Sequence, residues 1–360
     1  MKVLLFSLTL LVSFSSLFAD DALPKIWNES MVEEWKKIDI SVKSTIDGTM
    51  QPASFYISEE VRNSGKKVPL LVALHSWSFG YEKKDPASLA ATEAAKRGWA
   101  MLYPHFRGPN KTPQACGSDL AVQDIVDQIN WATANHPIDV ERVYIMGGSG
   151  GGHMALLMAG RHPEIFAAVY ASCPITDIAR WQKESSDIKK NLFPSYAKMI
   201  VLSCGGKPDE KKEEYARRSP LTYLSLERTG KLPVSIITGI HDGHKKKGGG
   251  SVPVGHAIRA YNLLVPEGNR LSENVISYIE RTEKIPDKLK FEGVDPYFSA
   301  EKKVLMRLTC GNARLTLFNA GHAGNYSEGV EWLSLQRRGA KANWNVPKPS
   351  SSVEASHITK

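Results

Sequence analysis

The chain has 360 residues, 42% of them hydrophobic and 23% charged, so it can bury a large core and is neither fibrous nor low-complexity. Its formal net charge is +8, spread along the chain except for a tight lysine cluster at 245–247; no aromatic-interleaved basic motif accompanies it, so a nucleic-acid partner is not expected. No internal repeat is visible, which excludes a solenoid or a propeller.

The first residues, MKVLLFSLTLLVSFSSLFAD, place Lys2 before an apolar, serine-containing run that ends at Ala19. They predict a signal peptide over 1–19, and hence a secreted or periplasmic protein with no stable membrane insertion after cleavage. The competing reading is an uncleaved anchor, because the run is nearly long enough to span a bilayer. Residues 24–37 are polar with helical character. Residues 37–57 then alternate apolar and polar positions on both sides of Asp47-Gly48, the signature of a hairpin with its turn at that dipeptide.

Continuous apolar runs follow: VPLLVALH, GWAMLYPH, RVYIMGG, FAAVYAS, LPVSIITG and ARLTLFNAG. Each is bounded by turn residues, as expected of strands buried on both faces. Helical spacing marks 86–96, 119–134, 152–161, 254–264 and 325–335. This alternation predicts a mainly parallel, doubly wound α/β sheet with an antiparallel N-terminal edge. Two connections, 177–231 and 265–308, are too long for turns and read as lid-like insertions. A single domain over 20–346 and a disordered polar tail over 347–360 complete the expected organisation.

Four cysteines, Cys116, Cys173, Cys204 and Cys310, permit two disulfides in three connectivities, or buried thiols. Their spacing matches no metal site.

Chemistry concentrates at GGSGG, residues 147–151. The run RVYIM precedes it and HMALLMAG follows, so Ser149 sits between a strand and a helix, the setting of a nucleophile elbow. A sharp turn there strains the serine backbone and leaves room only for small neighbours. The hydroxyl then stands at a helix N-terminus, where partial positive charge favours a developing anion. A phosphate-binding loop would want a Walker lysine or a GxGxxG spacing, and neither is present.

A serine nucleophile needs a base, and the base an orienting acid. Asp242 lies just past LPVSIITG and His322 just past the last apolar run, both at the strand ends where open α/β sheets place their sites. Asp177, at another strand end, is the rival acid. His241, Asp242, His244 and His256 offer a competing metal cluster, which would leave Ser149 and His322 unexplained. His153 reads as packing. Gly150 is the first expected oxyanion donor. Trp77 is the second, with Ser76 as its alternative in the loop after VPLLVALH. Ser76, Arg107 and Trp181 are further candidates for substrate binding. Arg107 could bind an acidic group such as a uronate, or serve a structural salt bridge. Trp77 and Trp181 could stack on sugars, or pack.

Together these residues resemble the α/β-hydrolase superfamily over nearly the whole mature chain. GGSGGGHMALLMAGRHPEIFAAVYASCPITD and GIHDGHKKKGGGSVPVGHAIRAYN resemble the catalytic domain of the prolyl oligopeptidase-type (peptidase S9-like) hydrolases, a Lys/Gly-rich insertion interrupting the second. That resemblance implies a serine hydrolase with the triad Ser149, Asp242 and His322, no cofactor and no metal. Prolyl oligopeptidases proper carry a large β-propeller before this domain, and only a short segment and a hairpin stand there in this chain. The expectation is therefore an esterase acting on small-molecule or polysaccharide esters of the acetylxylan or feruloyl type. A propeller-less peptidase is the alternative, and a non-catalytic binding protein on the same fold a second one. No unusually apolar lid points to a lipase. The sequence leaves the acyl group and the oligomeric state open.

Overall fold

The computed structural model describes residues 35–82, 89–187, 195–244 and 249–349. The expected signal peptide, the lysine cluster at 245–247 and the tail from 350 onward lie outside the described residues.

The hairpin forms as expected. Strands β1 (Trp35–Lys43) and β2 (Met50–Ser58) pair antiparallel, with Gly48 turning at a φ of 73°. The region read as helical up to residue 37 gives way to strand from Trp35. After α1 (Glu59–Ser64) the chain alternates: β3 (Val68–Leu74), α2 (Leu89–Lys96), β4 (Ala100–Pro104), α3 (Asp119–Asn135), β5 (Ile138–Gly148), α4 (Gly150–Arg161) and β6 (Ala168–Ser172). Four helices fill the first long connection: α5 (Ile178–Ser186), α6 (Ser195–Cys204), α7 (Lys212–Arg217) and α8 (Leu226–Thr229). Then come β7 (Val234–Gly239), α9 (Gly255–Leu263), α10 (Glu273–Thr282), β8 (Val304–Cys310), β9 (Ala313–Phe318) and α11 (Tyr326–Ser334).

Among the described residues the strands form one nine-stranded sheet, ordered β1-β2-β4-β3-β5-β6-β7-β9-β8. From β4 to β9 every neighbouring pair runs parallel, while the pairs β1–β2, β2–β4 and β8–β9 are antiparallel. β8 corrects the reading of 265–308 as insertion throughout, because its C-terminal part is an antiparallel edge strand.

Successive side chains of a strand point to opposite faces, and β3 shows both faces covered. Leu70, Val72 and Leu74 join the core beneath α3, α4, α9 and α10, while Leu71 and Ala73 join the core beneath α2 and α11. Every residue of β3 is buried, which is why its sequence is apolar throughout instead of alternating. This mainly parallel, doubly wound sheet is the α/β-hydrolase arrangement, and it brings the ends of β3, β5, β6, β7 and β9 to one edge.

Candidate active site

Ser149 stands between β5 and α4 with φ 58° and ψ −118°, a conformation rarely adopted by a residue with a side chain. Two backbone hydrogen bonds fix it there. Its N–H donates to the Ser172 carbonyl at the end of β6 (2.9 Å), and its carbonyl accepts the His153 N–H of the first helical turn (2.9 Å). The structure thus shows the strained elbow that the glycine pattern implied.

The neighbouring loop presses against this turn. A Cβ on Gly150 would lie 2.5 Å from both the N and Cα of Trp77, so only glycine lets the two backbones meet. Gly150 opens α4, where the first amides have no carbonyl within the helix to reach. No hydrogen bond is donated by the Trp77 amide among the described residues. The two stretches of backbone that carry these amides meet beside Ser149, where an oxyanion would need its donors. The Ser76 carbonyl accepts from His75 Nδ1 (3.0 Å) and the Phe79 N–H (3.3 Å).

Asp242 and His322 meet because β7 and β9 stay paired past their ends. Ile240 N–H donates to Phe318 O, and His241 N–H to Ala320 O (both 2.9 Å). The Asp242 side chain is fully buried, and its Oδ2 accepts a 2.6 Å hydrogen bond from His322 Nδ1. Its other oxygen, Oδ1, accepts the Val252 N–H (3.2 Å). The imidazole keeps 28% of its side-chain surface exposed. With the Nδ1 proton given to the carboxylate, Nε2 is left as the basic nitrogen. Burial opposes charge on this ring, and the Asp242 carboxylate, with the Cys173 sulfur beside it, outweighs burial. The pKa of His322 is therefore held well above the ordinary histidine value.

The serine and histidine loops converge. A Cβ on Gly324 would lie 2.6 Å from Ser172 Oγ, and one on Gly148 would lie 2.4 Å from the Tyr326 hydroxyl. The described hydrogen bonds do not join Ser149 Oγ to His322. Such contacts are commonly loose without substrate and tighten in the complex.

The other sequence candidates take structural places. Asp177, the rival acid, caps α5 by accepting the Arg180 N–H (2.9 Å). The four residues of the competing metal reading point apart. His241 bonds Glu283 (2.5 Å), His244 bonds the Glu280 carbonyl (2.7 Å), and His256 bonds Glu184 (3.0 Å) while taking the Thr176 N–H (3.1 Å). His153 is buried on the Arg218 carbonyl (2.7 Å). Arg107 is consumed by Asp124 on one side and Asp47 (2.8 Å) on the other, which is the salt-bridge reading. Trp181 is 0% exposed, its ring edge-on to Trp77 at 4.7 Å and its Nε1–H on the Ser251 carbonyl (2.6 Å). A ring with no exposed face cannot stack on a sugar, so the stacking reading gives way to packing; Trp77, at 1% exposure, packs likewise. All four cysteines are free thiols, three of them buried.

Two residues at this site escaped the sequence reading. A Cβ on Gly250 would lie 2.0 Å from Asp242 Oδ1 and 2.6 Å from His322 Cβ, so this glycine closes over the Asp–His pair. Its signal was the glycine run at 248–250. Cys173 follows β6 directly and touches the same pair. Its only signal was a strand-end position that it shares with Ser149 and Asp242.

Comparison with known proteins gives the family. The prolyl oligopeptidase family matches residues 87–277, just over half of the chain. The rat acylamino-acid-releasing enzyme is 28% identical over 155 residues, covering 41% of this chain and 20% of its own length. Feruloyl esterase B of Thermothelomyces thermophilus is 28% identical over 109 residues, 28% of this chain and 37% of the relative. The structure of the acylaminoacyl peptidase of Pyrococcus horikoshii superposes with a TM-score of 0.50 at 19% identity, over 66% of this chain and 36% of that one. The chain thus spans between a fifth and two fifths of these relatives. With a strained serine elbow and a buried carboxylate–histidine pair on one edge of the sheet, the chain belongs to the prolyl oligopeptidase family of serine hydrolases.

Proposed function

We propose that this chain is a secreted serine esterase acting on acylated carbohydrate, with Ser149 as nucleophile, His322 as base, Asp242 as orienting acid, and the Gly150 and Trp77 amides as oxyanion donors. The observation that carries the reading is the pairing of a strained, helix-terminal serine with the Asp242–His322 hydrogen bond of 2.6 Å. Ser149 Oγ attacks the acyl carbonyl while His322 Nε2 takes its proton, and the two amides hold the oxyanion. His322 returns that proton to the leaving alkoxide as the acyl-enzyme forms. Water then attacks the acyl-enzyme, with His322 again as base, releasing the acid and restoring Ser149. Asp242 stabilises the imidazolium in each half. One oxyanion donor is worth about 10²–10³ in rate.

Two observations support an ester of a bulky chain. One aligned relative is a feruloyl esterase, and the His322 side chain keeps 28% of its surface exposed. Peptidase action is the second reading, favoured by the alignment with the rat enzyme. Export rests on the N-terminal run over 1–19, and a single hydrolase domain is proposed for 20–346.

The test pairs mature protein with its Ser149→Ala variant on a short-acyl aryl ester, an acetylated xylan and a proline-containing peptide amide. The esterase reading expects ester turnover to fall about 10⁴-fold or more in the variant, with the peptide untouched by either protein. Peptide cleavage lost in the variant selects the peptidase. Equal rates in both proteins would make the fold a binding scaffold.

A further inference from the structure

Cys173 is a third neighbour of the Asp242–His322 pair, and the mechanism above gives it no task. It follows β6 with a φ of 45°, at 2% exposure. Its Sγ donates to the Ala323 carbonyl (3.0 Å) and accepts from the Thr238 hydroxyl (3.5 Å). One donor atom each from Cys173, Asp242 and His322 lie within 4.8 Å of one another, the one group of three such side chains among the described residues.

A thiolate, an imidazole and a carboxylate are the donors that zinc takes, and three protein ligands leave its fourth position for water. Bonds of roughly 2.0–2.3 Å in a tetrahedron place ligand atoms roughly 3.3–3.8 Å apart, so the cluster, no wider than 4.8 Å, has to close modestly around the sulfur while the 2.6 Å Asp242–His322 contact opens. Outer-shell partners are already present: the Val252 N–H on Asp242 Oδ1 and the Thr238 hydroxyl on Cys173. The exposed side of the His322 ring provides the way in.

We propose that Cys173, Asp242 and His322 form a site for a borderline-soft divalent cation such as Zn²⁺, and that occupancy switches the hydrolase off. Binding sends the thiol proton to solvent and moves the Nδ1 proton to Nε2 through solvent, so that the Nδ1 lone pair goes to the metal, with no change of oxidation state. Base and orienting acid are lost to catalysis together. The inhibitory consequence rests on reading His322 as the base, whereas the site itself rests on the cluster alone.

Cobalt is the probe, because a Co²⁺–thiolate bond absorbs in the near ultraviolet. Titrating purified protein with Co²⁺ is expected to raise that band, and Zn²⁺ to bleach it. The band should vanish in Cys173→Ser and in Cys173→Ala, weaken strongly in His322→Ala, and persist in Cys310→Ala. Zn²⁺ should also inhibit ester hydrolysis, reversibly by chelator. Each variant is compared with its own metal-free rate, and Cys173→Ser should raise the half-inhibitory Zn²⁺ about tenfold or more. A wild type without the band, or a band that survives both Cys173 substitutions, overturns the site. A band without inhibition overturns the switch. A Ser149→Ala variant with full ester activity would sink the catalytic reading and leave the cobalt spectrum as it was.

Discussion

His322 carries the clearest electrostatic consequence at the scale of single residues. Burial alone would favour the neutral ring, yet the carboxylate 2.6 Å away raises its pKa well above the usual value. A base works only when neutral. Activity should therefore rise with pH through this elevated pKa, and the acid limb of kcat/KM should lie above about 6.5, the usual histidine value. Asp242→Asn removes the stabilising charge, so the limb should move to lower pH while kcat falls by about 10⁴. A wild-type limb at or below the ordinary value would mean that the carboxylate does not govern the ring. Ser149, Asp242 and His322 were legible in the sequence because each follows the end of an apolar run, and a parallel sheet sends all such ends to one edge. Arg107 follows a strand end too, but its fate depends on Asp47 and Asp124, which are remote in the sequence. Pattern says where a side chain leaves the sheet, not what meets it there.

The first long connection shows the same limit among elements. Its Trp181 reads equally well as part of a sugar-binding cleft or as packing. In the fold, α5–α7 build a small apolar cluster of their own, with Trp77, Ile178, Trp181, Ile200, Tyr215 and Val252 buried together. Trp181 joins this cluster to the segment that closes over Asp242, because its Nε1–H reaches Ser251, next to Gly250 and Val252. Trp181→Phe keeps most of the ring volume but strands the Ser251 carbonyl, so it should lower stability by about 1–3 kcal/mol. Chemical denaturation reads that loss. KM for carbohydrate esters should stay where it is, and a KM that rises while stability holds would restore Trp181 to the binding surface. β8 was missed for a different reason. It is an edge strand with only partial burial (Val304 and Met306 inward, Arg307 and Thr309 less so), and it lacks the all-apolar signature of its parallel neighbours.

Across the whole molecule, the ion pairs of Arg107 tie the N-terminal edge to the parallel core. Asp47 lies in the β1–β2 turn, Arg107 just past β4, and Asp124 in α3, so one guanidinium spans three distant stretches of chain. Arg107 holds a left-handed φ of 71° there, and its side chain is 9% exposed. Asp124 is wholly buried, and a buried charge stripped of its partner is costly. Arg107→Met should therefore destabilise the fold by about 3–5 kcal/mol, most of it from the abandoned Asp124 carboxylate. Joining it with Asp124→Leu removes that charge and should recover much of the loss, because a well-packed apolar pair often matches a buried ion pair. Urea unfolding of the two single variants and the double variant gives the coupling directly. If Arg107 instead served to bind an acidic sugar, the single variant would unfold like the wild type and lose affinity for uronate-bearing esters alone. The bidentate grip of Asp124 on the guanidinium, through Nε and Nη2, argues for the first outcome, since a residue so held has little freedom to reach a substrate.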